Sequence, residues 1–399
     1  MSAQHHTFFA SCPTGLESAL VDELDHLGAS AIKVTQGGVE FQGSFTLGYH
    51  INLESRIASR VLLQLTKREY VKEQDIYHIV LHLPWWEWFT VQQTIKVKVQ
   101  AKRCPLPSLD FVTLRIKDAV CDAFMKRKKA RPHVETRTPD IQIVGFLDER
   151  TVTVYLDTSG EPLFKRGWSQ IRTEAPIREN LAAGLLALAG WTDAQVLLDP
   201  MCGGGTILIE AAQMAKRVAP GLGRRFAFQK FRGFDAKLWE NICLASVAKQ
   251  QAAPSVSLFG SDRNAKILQI AEKNCQAMGL SDLVTLRQSD VLMLDAPREE
   301  GILLTNPPYG VRLGEYAELA TFYPKFGDVL KKKFFGWRAY IFTADRRVPK
   351  MIRLLPTRKV PLFNGDLECR LYEFKLVQGG HRKSRRVGIS TNRIEESVN

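Results

Sequence analysis

Short apolar runs alternate with segments of helical periodicity through the second half of the chain. Strands are predicted at residues 196–198, 256–261, 284–287 and 301–305. Helices are predicted from Ile207 to Ala215 and around Ile267 to Asn274, with Gly279 as the C-cap of the second. Alternation of this kind predicts a doubly wound α/β unit with a parallel sheet.

The first half has a different pattern, which predicts α+β structure. Residues 95–99 alternate apolar and basic side chains, so one face of this strand is predicted to be buried and the other positively charged. The predicted strands are 7–10, 32–35, 39–42, 61–66, 94–101, 141–146 and 152–156, and the predicted helices are 16–27, 45–53, 75–83 and 111–128.

Two aromatic segments stand out between these elements. Residues 85–89, Trp-Trp-Glu-Trp-Phe, are predicted to form a packing seam between units rather than a platform for RNA bases. Residues 226–232 mix phenylalanines with basic residues. They fit a flap that contacts RNA and a hydrophobic patch packed on the core equally well.

A glycine-rich turn follows the predicted strand at 196–198 and precedes a predicted helix. Such a turn lets backbone approach a ligand, but it lacks the dinucleotide spacing and the lysine of a phosphate-binding loop. Asp199 at the strand end would repel a pyrophosphate and suits a cationic ligand such as S-adenosylmethionine. The cofactor-binding residues predicted in this turn are Asp199, Pro200, Cys202, Gly203, Gly205 and Thr206. Cys202 is interpreted as a small apolar filler rather than a nucleophile.

Two further carboxylates follow the next two strands. Asp262 is predicted to accept hydrogen bonds from ribose hydroxyls, and Asp290 from the amino group of adenine. The ordinary interpretation of either residue is a helix N-cap. Asp235 competes for the ribose role, but it follows a loop-like stretch, whereas Asp262 lies between a strand and a helix.

The run Asn306-Pro307-Pro308-Tyr309 closes the apolar strand at 301–305. Exocyclic amino groups of nucleobases are poor nucleophiles, so an enzyme that alkylates one needs acceptors for its hydrogens and a flat surface for the ring. The side-chain oxygen of Asn306 and the carbonyl of Pro307 can be those acceptors, Tyr309 with Pro308 can stack on the base, and the prolines stiffen the loop. The base must leave its stack to reach them. Asn306 is also predicted to border the cofactor.

The composition favours a polyanionic partner. Lys and Arg number 55 against 42 Asp and Glu, a net charge of +13. No apolar run reaches the roughly 20 residues of a membrane span, and the start of the chain has no signal-peptide pattern. Seven cysteines without C-x-x-C spacing predict reduced thiols and no zinc site. We therefore expect a cytoplasmic protein that binds RNA and uses no metal.

With these motifs in place, the chain resembles the RNA guanine-N2 methyltransferases that carry an N-terminal THUMP domain, in particular their bacterial large-subunit ribosomal RNA members. The likeness extends over nearly the whole chain. It rests on the motifs at 199–206 and 306–310 and on the longer stretches 165–168, 175–183, 219–222 and 364–370.

The resemblance implies a Rossmann-like, S-adenosylmethionine-dependent methyltransferase domain of seven strands with an antiparallel last strand. The antiparallel pair would be formed here by residues 339–343 and 369–375. The resemblance implies four regions: a ferredoxin-like domain (1–60), a THUMP domain (61–160), the methyltransferase domain (161–378) and a basic disordered tail (379–399). It also places Pro176 and Glu179 over the methionine end of the cofactor. The residues alone predict only an amphipathic core helix there.

The sequence thus predicts methyl transfer from S-adenosylmethionine to the N2 amino group of a guanine in 23S ribosomal RNA. A transfer RNA substrate is the nearest alternative. A DNA adenine-N6 methyltransferase would use the same four residues, but the THUMP-like half argues against it. The intact acceptor run and the three carboxylates argue against a non-catalytic RNA-binding assembly factor.

Overall fold

The computed structural model describes residues 5–167, 177–252, 254–308 and 315–377, and it contains two seven-stranded sheets. The elements of the first half are β1 (His6–Ser11), α1 (Glu17–His26), β2 (Ser30–Thr35), β3 (Gly38–Gly43), α2 (Phe45–Glu54), β4 (Arg60–Glu69), α3 (Glu73–Leu81), α4 (Trp85–Trp88), β5 (Ile95–Ala101), α5 (Leu109–Lys128), β6 (Ile141–Leu147) and β7 (Thr151–Asp157).

The first sheet joins the two units predicted from the sequence. Its strand order is β2-β3-β1-β4-β7-β6-β5. Strand β4 pairs with β1, where Leu63 lies opposite Phe8, and also with β7, where Leu63 lies opposite Leu156. The boundary expected at residue 60 therefore falls at the start of a strand that belongs to both units. The two units form one continuous sheet, which the sequence did not predict.

The second half supplies the other sheet. Its elements are α6 (Glu179–Ala189), β8 (Leu197–Asp199), α7 (Thr206–Ala215), α8 (Ala236–Ala248), β9 (Leu258–Asp262), α9 (Ala265–Ala277), β10 (Val284–Gln288), β11 (Ile302–Thr305), α10 (Glu315–Lys333), β12 (Arg338–Thr343), α11 (Val348–Ile352), β13 (Arg358–Asn364) and β14 (Leu367–Lys375).

The strand order of this sheet, β10-β9-β8-β11-β12-β14-β13, confirms the predicted methyltransferase-type architecture. The first five strands in this order are parallel, and β14 runs antiparallel to β12, with Arg338 opposite Lys375. The chain builds outward in one direction from β8 through β9 to β10 and then crosses to β11 on the other side of β8. A crevice forms at such a switch point, outside the carboxyl ends of the strands.

The aromatic segment at 85–89 is a packing seam, as predicted. Trp85 and Phe89 are fully buried, and the ring of Trp88 lies 6.3 Å from those of Phe45 and Phe231. This seam brings together the two N-terminal units and the segment that follows the glycine turn.

The phenylalanines of residues 226–232 are buried as well. Phe228 stacks on Tyr49 of α2 at 4.4 Å and packs against Trp239 of α8. The patch interpretation is thus confirmed for these rings, although much of their surface is covered by the N-terminal half rather than by the methyltransferase core.

Among the helices of the described ranges, none has the length and apolar character needed to cross a membrane.

A buried ion cluster connects the two halves. The carboxylate of Glu210 on α7 is fully buried and pairs with Arg56, which follows α2, at 3.4 Å, and with Arg166 at 3.2 Å. Arg56 also donates to the carbonyl of Val218, and Arg166 donates to the carbonyl of Arg56 at 2.7 Å. Burial lowers the pKa of Arg56, and the charge of Glu210 opposes that shift. Each guanidinium therefore depends on the same carboxylate.

Replacing Glu210 by Gln should lower the free energy of unfolding by about 3–5 kcal/mol, because two buried guanidiniums would lose their counter-charge. Urea denaturation followed by circular dichroism measures this change. The matched control is Glu161→Gln, which breaks an exposed pair with Lys165 and should cost less than about 1 kcal/mol. Equal losses in the two variants would contradict the assigned role of the cluster.

Candidate functional site

The predicted acidic residues lie at neighbouring strand ends of the second sheet. Asp199 ends β8, Asp262 ends β9, and Asp290 follows β10, while Asn306 follows β11. These four strands are adjacent in the order β10-β9-β8-β11 and parallel, so their carboxyl ends meet at one edge. The structure therefore brings the predicted turn, the carboxylates and the asparagine to the same crevice.

Asp199 is the most deeply buried of these carboxylates, with 2% of its surface exposed. Its Oδ1 accepts hydrogen bonds from the hydroxyl of Thr305 at 2.8 Å and from the amide of Met201 at 3.2 Å. Burial raises the pKa of Asp199 to about 7, the charge of Asp262 adds to the rise, and the two hydrogen bonds oppose it. No Lys or Arg of the described residues pairs with it, so a bound cation would find an uncompensated carboxylate.

The glycine turn is held in place by its neighbours. Gly203 and Gly205 have φ of +55° and +83°, a region that side chains disfavour. The amide of Gly203 donates to Asp262 Oδ2 at 3.2 Å, and Asn274 on α9 donates to the carbonyl of Gly204 at 3.0 Å. The turn leads directly into Thr206, the first residue of α7. The first amide groups of a helix have no acceptor within it and are available to a ligand.

The contacts of the two carboxylates favour Asp262 over Asp235 for the ribose role, which stays a prediction. Asp235 caps α8 by accepting from Leu238, away from the glycine turn. Asp262 bonds to the turn itself, and Asn264, not Asp262, caps α9. Asp262 also accepts from the amide of Asn264 at 2.9 Å, which leaves other lone pairs of its oxygens for a ligand.

Asp290 is an N-cap, the ordinary interpretation that the sequence analysis left open. It caps a short 3₁₀ turn, Val291–Met293, by accepting from Leu292 at 2.9 Å. Its side chain is exposed, and the amide of the preceding Ser289 donates to the carbonyl of Asp262 at 3.1 Å. A cap at this position leaves the second carboxylate oxygen of Asp290 available, and its role toward an adenine stays a prediction.

The Asn306 segment begins beside the glycine turn. The hydroxyl of Thr305, one residue before Asn306, is the donor to Asp199, so the start of the loop is tied to the end of β8. Asn306 is half-buried, Pro307 is buried and Pro308 is exposed. Tyr309, predicted to stack on the base, and Pro176, predicted to contact the cofactor, lie outside the described residues, as does the predicted basic tail.

Glu179 opens α6 close to the buried ion cluster. Burial raises the pKa of Glu179 to about 7; the charge of Glu210 raises it further, and those of Arg166 and Arg178 lower it. Two of the charges that act on it, Glu210 and Arg166, therefore belong to the buried ion cluster that connects the two halves. Its predicted contact with the cofactor stays a prediction.

Cys202 has the surroundings of a packing residue. It is buried, and burial raises the pKa of its thiol well above the usual value, with Asp199 and Asp262 adding to the rise. Its Sγ lies 3.5 Å from the point where a Cβ on Gly260 would lie. A thiol that resists ionisation is a poor nucleophile. The seven cysteines, all within the described residues, form no disulfide.

Sequence reasoning missed two residues that shape the site. Thr305 was assigned only to the apolar strand, and Asn274 only to a helix. The signal available for each was a polar side chain on a face otherwise expected to be apolar: Thr305 is fully buried, and Asn274 is 6% exposed. Buried polar groups of this kind need hydrogen-bond partners, and both find them in the turn. In the described ranges no three His, Cys, Asp or Glu side chains are grouped to hold a metal ion.

Comparison with protein families assigns all three parts of the chain. A family model described as RMKL-like, methyltransferase domain matches residues 166–373. The THUMP domain model matches residues 70–157, and the RlmL ferredoxin-like domain model matches residues 7–62. The order of these matches is that of a THUMP-containing methyltransferase.

Individual relatives agree with this assignment. The chain is 36% identical to the ribosomal RNA large subunit methyltransferase K/L of Aeromonas hydrophila over 98% of its own length, but it covers only 57% of that protein. It is 35% identical to a putative RNA methyltransferase of Synechocystis, over 94% of this chain and 98% of the relative. The chain belongs to the RMKL-like methyltransferase family with RlmL-type ferredoxin-like and THUMP domains.

A solved structure has the same fold. The crystal structure of SMU.472, a putative methyltransferase complexed with SAH, superposes with a TM-score of 0.86 at 27% identity. The match covers 95% of this chain and all of that one. The chain spans little more than half the length of the K/L relatives, whereas this structure and the Synechocystis protein match it nearly end to end.

Brief alkylation with iodoacetamide at pH 8 should modify Cys104 and Cys243, which are partly exposed, and leave Cys202 unmodified, because only an accessible thiolate reacts. Peptide mass spectrometry of the native protein measures the extent at each site. Unfolding in urea before alkylation is the control and should label all seven. Labelling of native Cys202 ahead of the other two would contradict the packing role.

Proposed function

We propose that this protein transfers a methyl group from S-adenosylmethionine to the N2 amino group of a guanine in 23S ribosomal RNA. The family, the RNA methyltransferase names of its relatives and the SAH complex of a structural neighbour support this proposal. The net charge of +13 and the THUMP domain agree with an RNA substrate. A ribosomal RNA substrate would also account for the cytoplasmic location expected from the sequence.

The observation that carries the proposal is the hydrogen bond between Thr305 and Asp199. It places the start of the Asn306 loop next to the glycine turn, so a purine held by the loop would face a ligand held by the turn. The two segments are more than 100 residues apart in the sequence, and this hydrogen bond joins them in space. Orienting two reactants in this way is a major source of rate acceleration.

The residues of the turn fit S-adenosylmethionine. The buried Asp199 carboxylate lacks a cationic partner in the described part of the chain, and in the described structure no atom beyond the adjacent residues lies within 4 Å of the Cβ position on Gly203. Asp199 would hold the cationic end, the amides around Gly203 and Thr206 would line it, and Asp262 would accept from the ribose. When bound, the cofactor supplies an electrophilic methyl carbon.

The loop residues act on the guanine. The side-chain oxygen of Asn306 and the carbonyl of Pro307 accept the hydrogens of the N2 amino group and orient its lone pair toward the methyl carbon. The same oxygens would stabilise the positive charge that develops on N2 as it bonds to the methyl carbon and the carbon–sulfur bond breaks, after which N2 would release one proton to water. Pro308 and Tyr309 hold the ring flat. Each interaction is stronger in the transition state than in the ground state, so each raises turnover more than affinity.

Replacing Asn306 by Ala should reduce turnover by about 100-fold or more, because the developing charge loses an acceptor. Methyl incorporation into 23S ribosomal RNA from an unmodified strain measures turnover, and calorimetry measures cofactor affinity, which should change by less than about threefold.

The matched control for this variant is Asn241→Ala, on the exposed face of α8, which should retain full activity. Transfer RNA and plasmid DNA serve as competing substrates in the same assay. Normal turnover by Asn306→Ala would exclude the assigned role, and methylation of transfer RNA or DNA in preference to ribosomal RNA would exclude the assigned substrate.

Affinity for S-adenosylmethionine should fall by up to about tenfold per unit as the pH drops below 7. Burial raises the pKa of Asp199 to about 7, so the carboxyl is mostly neutral below that pH and ionised above it. Binding of a cation favours the ionised form and therefore releases a proton. Calorimetry at pH 6, 7 and 8 in buffers of different ionisation enthalpy measures both quantities.

The control for the pH dependence is Asp199→Asn, which should bind weakly and with little change over the same range. Constant affinity of the unmodified protein from pH 6 to 8 would show that Asp199 does not pair with the cofactor.

A further inference from the structure

Three charged side chains form a cluster at the crevice edge of the second sheet. Glu368, near the start of β14, pairs with Arg346 at 2.6 Å and with Arg370 at 3.1 Å. Arg370 has 17% of its side chain exposed and Arg346 has 62%. One carboxylate thus serves two guanidiniums, and the cluster retains a net positive charge.

Strand register places this cluster beside the Asn306 loop. Thr305 at the end of β11 lies opposite Ile341 of β12, and Thr343, two residues further along β12, lies opposite Arg370 of β14. Arg370 is therefore level with Pro307 and two strands away. At about 4.8 Å per strand, the two backbones are about 10 Å apart, a distance comparable with the size of one nucleotide.

Arg370 is incompletely satisfied by the protein. Its Nε is buried, and among the described residues this atom has no hydrogen-bond partner. The guanidinium uses one terminal nitrogen to contact Glu368. A planar guanidinium with free donors matches the oxygens of a phosphate in a bidentate arrangement.

The exposed part of this cluster adds little to stability. The Arg346–Glu368 pair is largely exposed, and exposed pairs contribute little to folding. The nearby Arg347 is paired separately with Asp345 at 2.8 Å. The cluster places two arginines, held by a single shared anion, at the crevice edge of the sheet, two strands from the one that leads into the Asn306 loop.

We propose that Arg370 and Arg346 bind a backbone phosphate of the RNA nucleotide that the Asn306 loop holds. Glu368 occupies the position of that phosphate in the RNA-free protein and is displaced from the arginines when RNA binds. This inference rests on the proposed function for the identity of the nucleic acid, but the phosphate contact itself requires no methyl transfer.

The test measures RNA affinity against salt concentration for Arg370→Met, with a 23S ribosomal RNA fragment as the probe. The variant should bind RNA about tenfold more weakly and reduce the slope of log affinity against log salt by about 1, because one phosphate contact is lost. The KM for RNA should rise by a similar factor, with kcat within about threefold and cofactor affinity unchanged. Arg370→Lys should restore the salt slope but only part of the affinity, because it keeps the charge and loses the planar fork.

Two other variants test the remaining members. Arg346→Met, at an exposed side chain that the fold does not need, should also weaken RNA binding and lower the salt slope. Glu368→Gln should bind RNA several-fold more tightly, because the competing anion is gone. The matched control is Lys375→Met, since Lys375 lies on the same strand at the opposite edge of the sheet, and it should leave RNA affinity and slope unchanged.

The outcomes separate this inference from the proposed function. Unchanged RNA affinity and salt slope in Arg370→Met and Arg346→Met would overturn the phosphate site, even if the unmodified protein methylates ribosomal RNA. Loss of affinity in Arg370→Met matched by an equal loss in Lys375→Met would also overturn it. Weakened RNA binding in both arginine variants, from a protein that transfers no methyl group, would support the phosphate site while the proposed function fails.

Discussion

The hydrogen bond from Thr305 to Asp199 is the interaction on which the site depends. It joins the ends of two strands that are neighbours in space only because the chain crosses over between β10 and β11. Both partners are almost completely buried, so the hydroxyl has no water to replace the carboxylate as an acceptor. Burial raises the pKa of the same carboxyl group to about 7, so a bound cation would favour its ionised form. One short contact thus connects the start of the Asn306 loop to the buried carboxylate beside the glycine turn.

A second constraint comes from the buried charges around Glu210. Arg56 belongs to the N-terminal half, while Glu210 lies one turn into the helix that starts at the glycine turn. Because removing Glu210 would leave two buried guanidiniums without their counter-charge, the cluster favours a single relative placement of the two halves. The stacked rings of Tyr49 and Phe228 support the same placement through apolar contact. The glycine turn and the N-terminal domains are therefore parts of one packed body in the described residues.

Local patterns predicted most of the elements and much of the site. The strands at 284–287 and 301–305, and the meeting of the glycine turn, the carboxylates and Asn306 at one sheet edge, followed from periodicity and from the order of strand, acid and helix. The antiparallel pair at 339–343 and 369–375 came from the family resemblance. Periodicity reports which face of an element is buried, but not which element covers it. It therefore could not reveal that β4 pairs with both β1 and β7, or that α2 covers Phe228. Thr305 was missed for the same reason, since its importance lies in a partner 106 residues away.

The continuous first sheet has a geometric consequence for substrate choice. Strand β4 is shared, so the ferredoxin-like and THUMP domains cannot swivel against each other without breaking its ladder of backbone hydrogen bonds. The buried charges around Glu210 join this sheet to the second half, so the same packing also favours a single distance between the THUMP domain and the Asn306 loop. Under the proposed function, a body of fixed geometry would select a guanine by its distance from a folded landmark in the RNA, and the identity of the adjoining bases would matter little.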